Sequence, residues 1–252
     1  MIIWTVTLCG LVVMFLLMYP AFTKDVEATH RIMANLPVAV RAALDISLQN
    51  FFTIYGFFSY LLTFAALAGA VQAMNLGVGV ISKEESGKTA DFLLTKPISR
   101  TKIFASKIAS IFSVILFTNV VFDLVSYVTA RLMSEGGFDN RIFGLILLTF
   151  FLIQLLFLAL GLLLSLLIPK IKSSIAVTLP AVFLFFVIGM LGSIIGNENV
   201  RYICPFKFFE SNYIIDRGAL ELKYLLIEMI VVIIATILSY LIFIRKDIRA
   251  AA

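Results

Sequence analysis

Six runs of apolar residues, each about twenty residues or longer, divide this chain, and a run of that length crosses the hydrocarbon core of a bilayer as an α-helix. Drawn on the sequence alone, the runs cover residues 2–22, 51–80, 106–130, 142–168, 174–196 and 224–244. Of the 252 residues, 62% are hydrophobic and 14% are charged, and the charges collect in short clusters between the runs. An ordinary soluble domain carries about a quarter charged residues. No stretch between the runs is long enough for a soluble domain of its own. The fold class expected is an all-α integral membrane protein, one transmembrane domain over residues 1–252. The second and fourth runs are long enough to tilt or to project beyond the lipid. The opening stretch has no basic residue ahead of its apolar run and is long for a cleaved signal, so it reads as the first span.

Six crossings place both termini on one side. With the termini inside, the inner segments hold Lys83, Lys88, Lys96, Arg100, Lys102, Lys107, Lys170, Lys172, Arg245, Lys246 and Arg249. The outer segments hold Lys24, Arg31, Arg41, Arg131, Arg141, Arg201, Lys207, Arg217 and Lys223. The inner segments are shorter, so their basic density is higher, and Arg245 and Lys246 abut the last span. The expected location is the cell membrane, multi-pass, with both termini cytoplasmic. Topology accounts for the net charge of +5 and removes the reason to invoke nucleic acid.

The inner segment from Ile81 to Lys107 is the richest in polar signals. Glu84 to Leu94 reads as a short helix with Glu84 and Glu85 in its first turn, ended by Pro97, and Ser99 is suited to cap the third span. Such a hairpin, with a charged face and an apolar Phe92-Leu93-Leu94 patch, is either a docking surface for a partner or a solvated connector, and the residues alone leave both open. Gly87-Lys88-Thr89 spells the end of a phosphate-binding loop, but Ser82 stands where its first glycine belongs and a membrane helix replaces the buried strand. Nothing in the chain is suited to bind or hydrolyse ATP. On the outer side, residues 197–223 are rich in Phe and Tyr and are expected to lie flat at the interface or to dip partly into the membrane.

Small residues recur inside the spans. Ala65, Gly69, Ala73 and Gly77 share one face of the second, and Gly192 and Gly196 form a GxxxG in the fifth beside Gly189. Both patterns suggest tight helix packing, within the subunit or across a dimer. Polar residues are few: Gln72 and Asn75 in the second span, Asp123 in the third, Gln154 in the fourth and Glu228 in the sixth. Gln72, Asn75 and Asp123 are the candidates for a transport pathway. Asp123 is otherwise expected to pair with Arg131 or Arg141 or to reach water, and Glu228, five residues past Lys223, to sit near the interface. Pro180 should loosen the fifth helix, and Pro169 stops the fourth.

The stretch with Glu84-Glu85, Gly87, Leu93-Leu94 and Pro97-Ile98-Ser99-Arg100, together with the later Pro205-Phe206-Lys207-Phe208-Phe209 and the short basic tail, resembles the permease subunits of ABC-2-type transporters. The resemblance covers nearly the whole chain in topology, although only about 25 residues carry a specific motif. It implies that the loop between helices 2 and 3 is cytoplasmic and holds a coupling helix, with Glu84, Glu85, Gly87, Phe92, Leu93, Pro97 and Arg100 contacting a separate ATPase subunit. It also implies a second permease copy or a homologue as partner, ATP and Mg on the ATPase with no cofactor on this chain, and export of a hydrophobic or amphipathic substrate. Such permeases begin with an amphipathic cytoplasmic helix; here the chain enters the membrane almost at Met1, so either the start lies upstream or the element is lacking.

Two rival functions find less support in the residues. A carrier driven by an ion gradient places ionisable residues near the bilayer midplane and shows repeated, interrupted helices, and neither feature is clear here. An intramembrane enzyme calls for clustered His, Asp or Glu, whereas the single histidine, His30, lies in the outer loop beside no metal partners. Cys9 and Cys204 read as two free thiols.

Overall fold

The computed structural model describes residues 2–44, 46–86, 99–134, 138–168 and 171–245, with the backbone alone for 83–86. Helices run through it from end to end and no strand occurs among the described residues. Six helices are long and apolar enough to cross a membrane: Ile2–Thr23, Ile54–Ser82, Arg100–Met133, Asn140–Leu167, Ser174–Ile195 and Leu222–Arg245. Their alternating direction puts residues 86, 100, 167, 174 and 245 at one end of the bundle, here the basal end. Segments 24–53 and 196–221 lie at the other, the loop end.

The ends differ from the hydropathy runs where helix chemistry outlasts apolarity. The second helix continues to Ser86 and the third begins at Arg100, giving 33 and 34 residues, about 50 Å each at 1.5 Å per residue. That exceeds the roughly 30 Å hydrocarbon core, so both project beyond it. Glu84 and Glu85 therefore belong to the last turns of the second span and do not open a separate helix, because nothing between Ile81 and Ser86 breaks the α-helix. Ser99 does cap the third span, accepting from the Lys102 backbone N–H at 3.4 Å. The first span bends after Leu16 and resumes as Tyr19–Thr23, with Pro20 in the new first turn. The fifth span passes through Pro180 unbroken; the missing N–H leaves only the Ala176 carbonyl without its helical donor.

The second and fourth spans form the centre. In their most apolar stretches 61% and 72% of residues are buried, against 17–28% in the other four, which wrap them and turn most of their surface outward. Small residues let the central pair touch backbone to backbone. A Cβ on Gly77 would sit 2.4 Å from the Leu158 carbonyl oxygen, and one on Gly161 would sit 2.4 Å from that of Met74. Ala65 and Ala73 are fully buried on the same helix. The fifth-span pair differs. A Cβ on Gly192 would sit 2.5 Å from the Val200 side chain, and Gly196 ends the helix in the left-handed region at φ +70° with open space beside it. Within this chain the GxxxG therefore seats the following segment and stops the helix, and its nearest neighbour is not another span.

At the loop end, Val26–Ala34 is a short helix capped by Asp25, which accepts from the Ala28 N–H at 2.9 Å, and Val38–Ala43 packs on the fifth span. Residues 197–221 fold inward through short 3-10 turns and the helix Ser211–Arg217. Cys204, Pro205, Phe208 and Ile214 are buried, and the Phe206 ring reaches Phe157 of the fourth span at 5.1 Å. The segment packs against the protein interior, which shelters its irregular backbone.

Replacing Gly77 by Ala should lower stability by about 1–3 kcal/mol, since the methyl would overlap main-chain atoms that cannot swing aside. Gly144→Ala, where nothing lies within 4 Å, should be neutral or stabilising by up to about 1 kcal/mol. Thermal midpoints of the two variants in detergent measure the difference.

Candidate functional site

Four spans contribute to one buried polar cluster. Gln154, fully buried in the fourth span, accepts at Oε1 from Asn119 Nδ2 at 2.5 Å. Its Nε2 donates to the Gly69 carbonyl at 3.3 Å and to Gln72 Oε1 at 3.4 Å. Gln72 Nε2 donates in turn to Thr118 Oγ1 at 3.2 Å, and Thr118 shares a hydroxyl contact at 3.2 Å with Thr5 of the first span. The amides run in one direction, Asn119 to Gln154 to Gln72 to Thr118. Gly69 makes the cluster possible, because a Cβ there would lie 2.9 Å from Gln154 Nε2 and 2.6 Å from the Phe150 ring. The network is neutral, so it offers donors and acceptors without the cost of a buried charge.

Of the pathway candidates, Gln72 is a member of this network. Asn75 lies one turn toward the basal end, half-buried, with its Oδ1 unpartnered among the described residues. Asp123 lies one turn beyond Asn119 on the third span. It makes no ion pair among the described residues, and its Oδ1 is buried without a partner. The expected pairing with Arg131 is not formed, because that guanidinium sits over the Phe138 ring at 5.4 Å. Glu228 departs further from expectation. It is 1% exposed on the stripe that also carries Tyr224, Ala235 and Ser239, and neither carboxyl oxygen has a partner among the described residues. Glu228 lies on the buried side of a helix that packs mainly on the fourth span.

Above the network a cavity opens toward the loop end. Ser59, Thr63 and Ala66 of the second span, Thr149 and Ile153 of the fourth, Phe186 and Met190 of the fifth, and Phe206 line it. Hydroxyls, aromatic rings, aliphatic side chains and Lys207 share the lining, and Ile153 in its wall directly precedes Gln154. Arg201 holds the roof. Its guanidinium donates to the carbonyls of Lys207 at 3.1 Å and Phe208 at 3.4 Å, pairs with Glu221 at 2.5 Å and Glu210 at 3.3 Å, and covers the Tyr224 ring at 4.1 Å. Cys204 is locked beneath, its thiol donating to the Phe185 carbonyl at 3.0 Å and touching Gly189.

At the basal end Ile81, Phe104, Leu162, Leu166 and Phe243 form a second apolar cluster that joins the second, third, fourth and sixth spans. Lys107, buried, reaches across to donate to the Val80 carbonyl at 2.9 Å. Arg100 Nη1 donates to the Ile244 carbonyl at 3.0 Å. Of the other residues expected to meet an ATPase, Glu84 and Glu85 are placed by backbone only, and Gly87, Phe92, Leu93 and Pro97 lie outside the described residues. Among the described residues no three His, Cys, Asp or Glu side chains lie together to hold a metal ion.

The sequence marks Gln72 as a polar residue in a span but does not reveal its partners. The Thr118-Asn119 pair inside the third apolar run is the signal that points to them, and Arg201 stands out only as one of several outer charges. Gln154→Leu would remove the cross-span bonds to Asn119 and to the Gly69 carbonyl, leaving Asn119 its bond to the Ile115 carbonyl, and should cost about 1–2 kcal/mol. Denaturant titration in mixed micelles reads this loss. Arg201→Gln should raise the reactivity of Cys204 toward a maleimide at least tenfold without unfolding the spans, whereas in the unaltered protein Cys204 should react only after denaturation.

The family model described as ABC-2 family transporter protein matches residues 2–248. No curated protein matches the chain significantly. With nearly every residue covered and six apolar helices in place, the chain belongs to the ABC-2 transporter family and is a multi-pass membrane permease.

Proposed function

We propose that this permease is the membrane half of an ATP-driven exporter that moves a hydrophobic or amphipathic molecule outward, with a separate ATPase subunit supplying the hydrolysis. The observation that carries the reading is the family match across residues 2–248, set beside a chain whose interior holds amides, hydroxyls and aromatic rings. The basal end faces the cytoplasm, and Glu84, Glu85, Gly87, Phe92, Leu93 and Pro97 meet the ATPase, which binds ATP and Mg. A second permease copy or a homologue completes the pathway. The cargo passes between the neutral network at Gln72 and Gln154 and the loop-end cavity. Apart from Lys207 the cavity lining is uncharged and amphipathic, which suits a drug, a lipid-like molecule or an apolar peptide.

A gradient-driven carrier is the second reading, and the observation behind it is Glu228, a buried carboxyl without a partner among the described residues. The two readings separate on the need for a partner. Co-expression with the ATPase encoded beside this chain should yield a stable complex in detergent, lost in Glu84→Ala/Glu85→Ala/Phe92→Ala while the permease still elutes as a folded species. Inside-out vesicles carrying the complex should then take up a fluorescent amphipathic peptide with ATP and not without it. Uptake that follows an imposed ion gradient and ignores ATP would move the carrier to first place.

A further inference from the structure

The third span begins one residue after the Ser99 cap, and its first turns grip the end of the sixth. Arg100 donates to the Ile244 carbonyl at 3.0 Å, the Thr101 hydroxyl meets Tyr240 Oη at 3.1 Å, and the Phe104 ring lies 5.5 Å from that of Tyr240 and 5.3 Å from that of Phe243. Carbonyls in the last turn of a helix have no intrahelical donor, and a cation there also complements the helix dipole. One guanidinium thus holds the main chain of another span, while two aromatic contacts fix its azimuth. The sixth span is the least buried of the six, 17% in its apolar stretch, and at this end the polar contacts add to its apolar packing on Leu162 and Leu166.

We infer that Arg100 is a positioning residue, a clamp that ties the sixth span to the start of the third so that movement at the ATPase-facing side is delivered to the sixth span, and that it is not itself an ATPase contact. The inference rests on the ATPase docking proposed above. It reassigns Arg100 from the partner surface to an internal joint, and it gives the sixth span, which carries Glu228 and Tyr224 on its buried stripe, a direct link to the basal end.

Hydrogen–deuterium exchange over residues 240–245 tests it. In the permease alone, Arg100→Ala should speed exchange there about fivefold, with Arg100→Lys between the two because an ammonium can still donate to one carbonyl. In the complex, Mg·ATP should alter exchange in this stretch in the unsubstituted protein. Arg100→Ala should abolish that response while the ATPase stays bound and hydrolyses ATP within about twofold of its normal rate. Should Arg100→Ala fold poorly, Tyr240→Phe with Thr101→Val removes the neighbouring contact and should speed exchange about twofold. Unchanged exchange in Arg100→Ala overturns the clamp, as does loss of the ATPase from that variant, which would mark Arg100 as a docking contact. If no ATPase binds the unsubstituted chain, the exporter reading fails, and exchange in the permease alone still decides whether the clamp exists.

Discussion

The backbone-to-backbone contact between the second and fourth spans is the constraint on which the rest depends. In lipid, two helices gain nothing by hiding apolar surface from each other, so association rests on close packing and on hydrogen bonds between them. Gly77 against Leu158 and Gly161 against Met74 supply the approach. That approach sets the register, and the register brings Gln154 level with Gln72 and the Gly69 carbonyl. Were the helices held a methyl further apart, those amides would face each other beyond bonding distance. The contact is therefore both the mechanical core and the reason a polar cluster can exist inside an apolar bundle.

The four outer spans are held at their ends by a different device. At the loop end Arg201 gathers two main-chain carbonyls, two carboxylates and an aromatic face. At the basal end Arg100 takes a carbonyl of the sixth span and Lys107 one of the second. Guanidinium groups suit the Arg201 and Arg100 sites because helix ends and irregular turns present carbonyls without donors and a planar fork can serve several at once. Lys107 instead adds a bond to a carbonyl inside the second helix. The middle of the bundle is tied by neutral amides and its ends by charges, which follows the polarity gradient of the bilayer.

Much of the architecture is legible in the sequence because hydropathy reports lipid exposure directly. The spans Asn140–Leu167 and Ser174–Ile195 fall within two residues of the runs drawn on the sequence. The stripe Ala65, Gly69, Ala73 and Gly77 is equally plain, since four-residue spacing defines a helix face. What the sequence does not reveal is the neighbour of each feature. Gly192 has the spacing of a helix-packing glycine and meets Val200, because a loop folding back can use the same gap as a helix. Glu228 reads as interfacial from its distance to Lys223, but depth along a helix says nothing about the direction in which the side chain points. The network around Gln154 is hidden in the sequence because it joins residues up to 113 positions apart, from Thr5 to Thr118.

The same network has a consequence for how the chain is made. Its members are threaded into the membrane in order, Thr5 first, then Gln72, Thr118 and Asn119, and Gln154 last. An amide left in hydrocarbon without a partner costs several kcal/mol. Gln72 finds Thr118 when the third helix enters, but Asn119, holding meanwhile to the Ile115 carbonyl of its own helix, must wait a further 35 residues for its cross-span partner Gln154. The early helices are thus poorly suited to drift apart into lipid one at a time. The first four are best retained together at the site of insertion until the fourth arrives, and the amides that later line the interior serve first to keep the nascent bundle assembled.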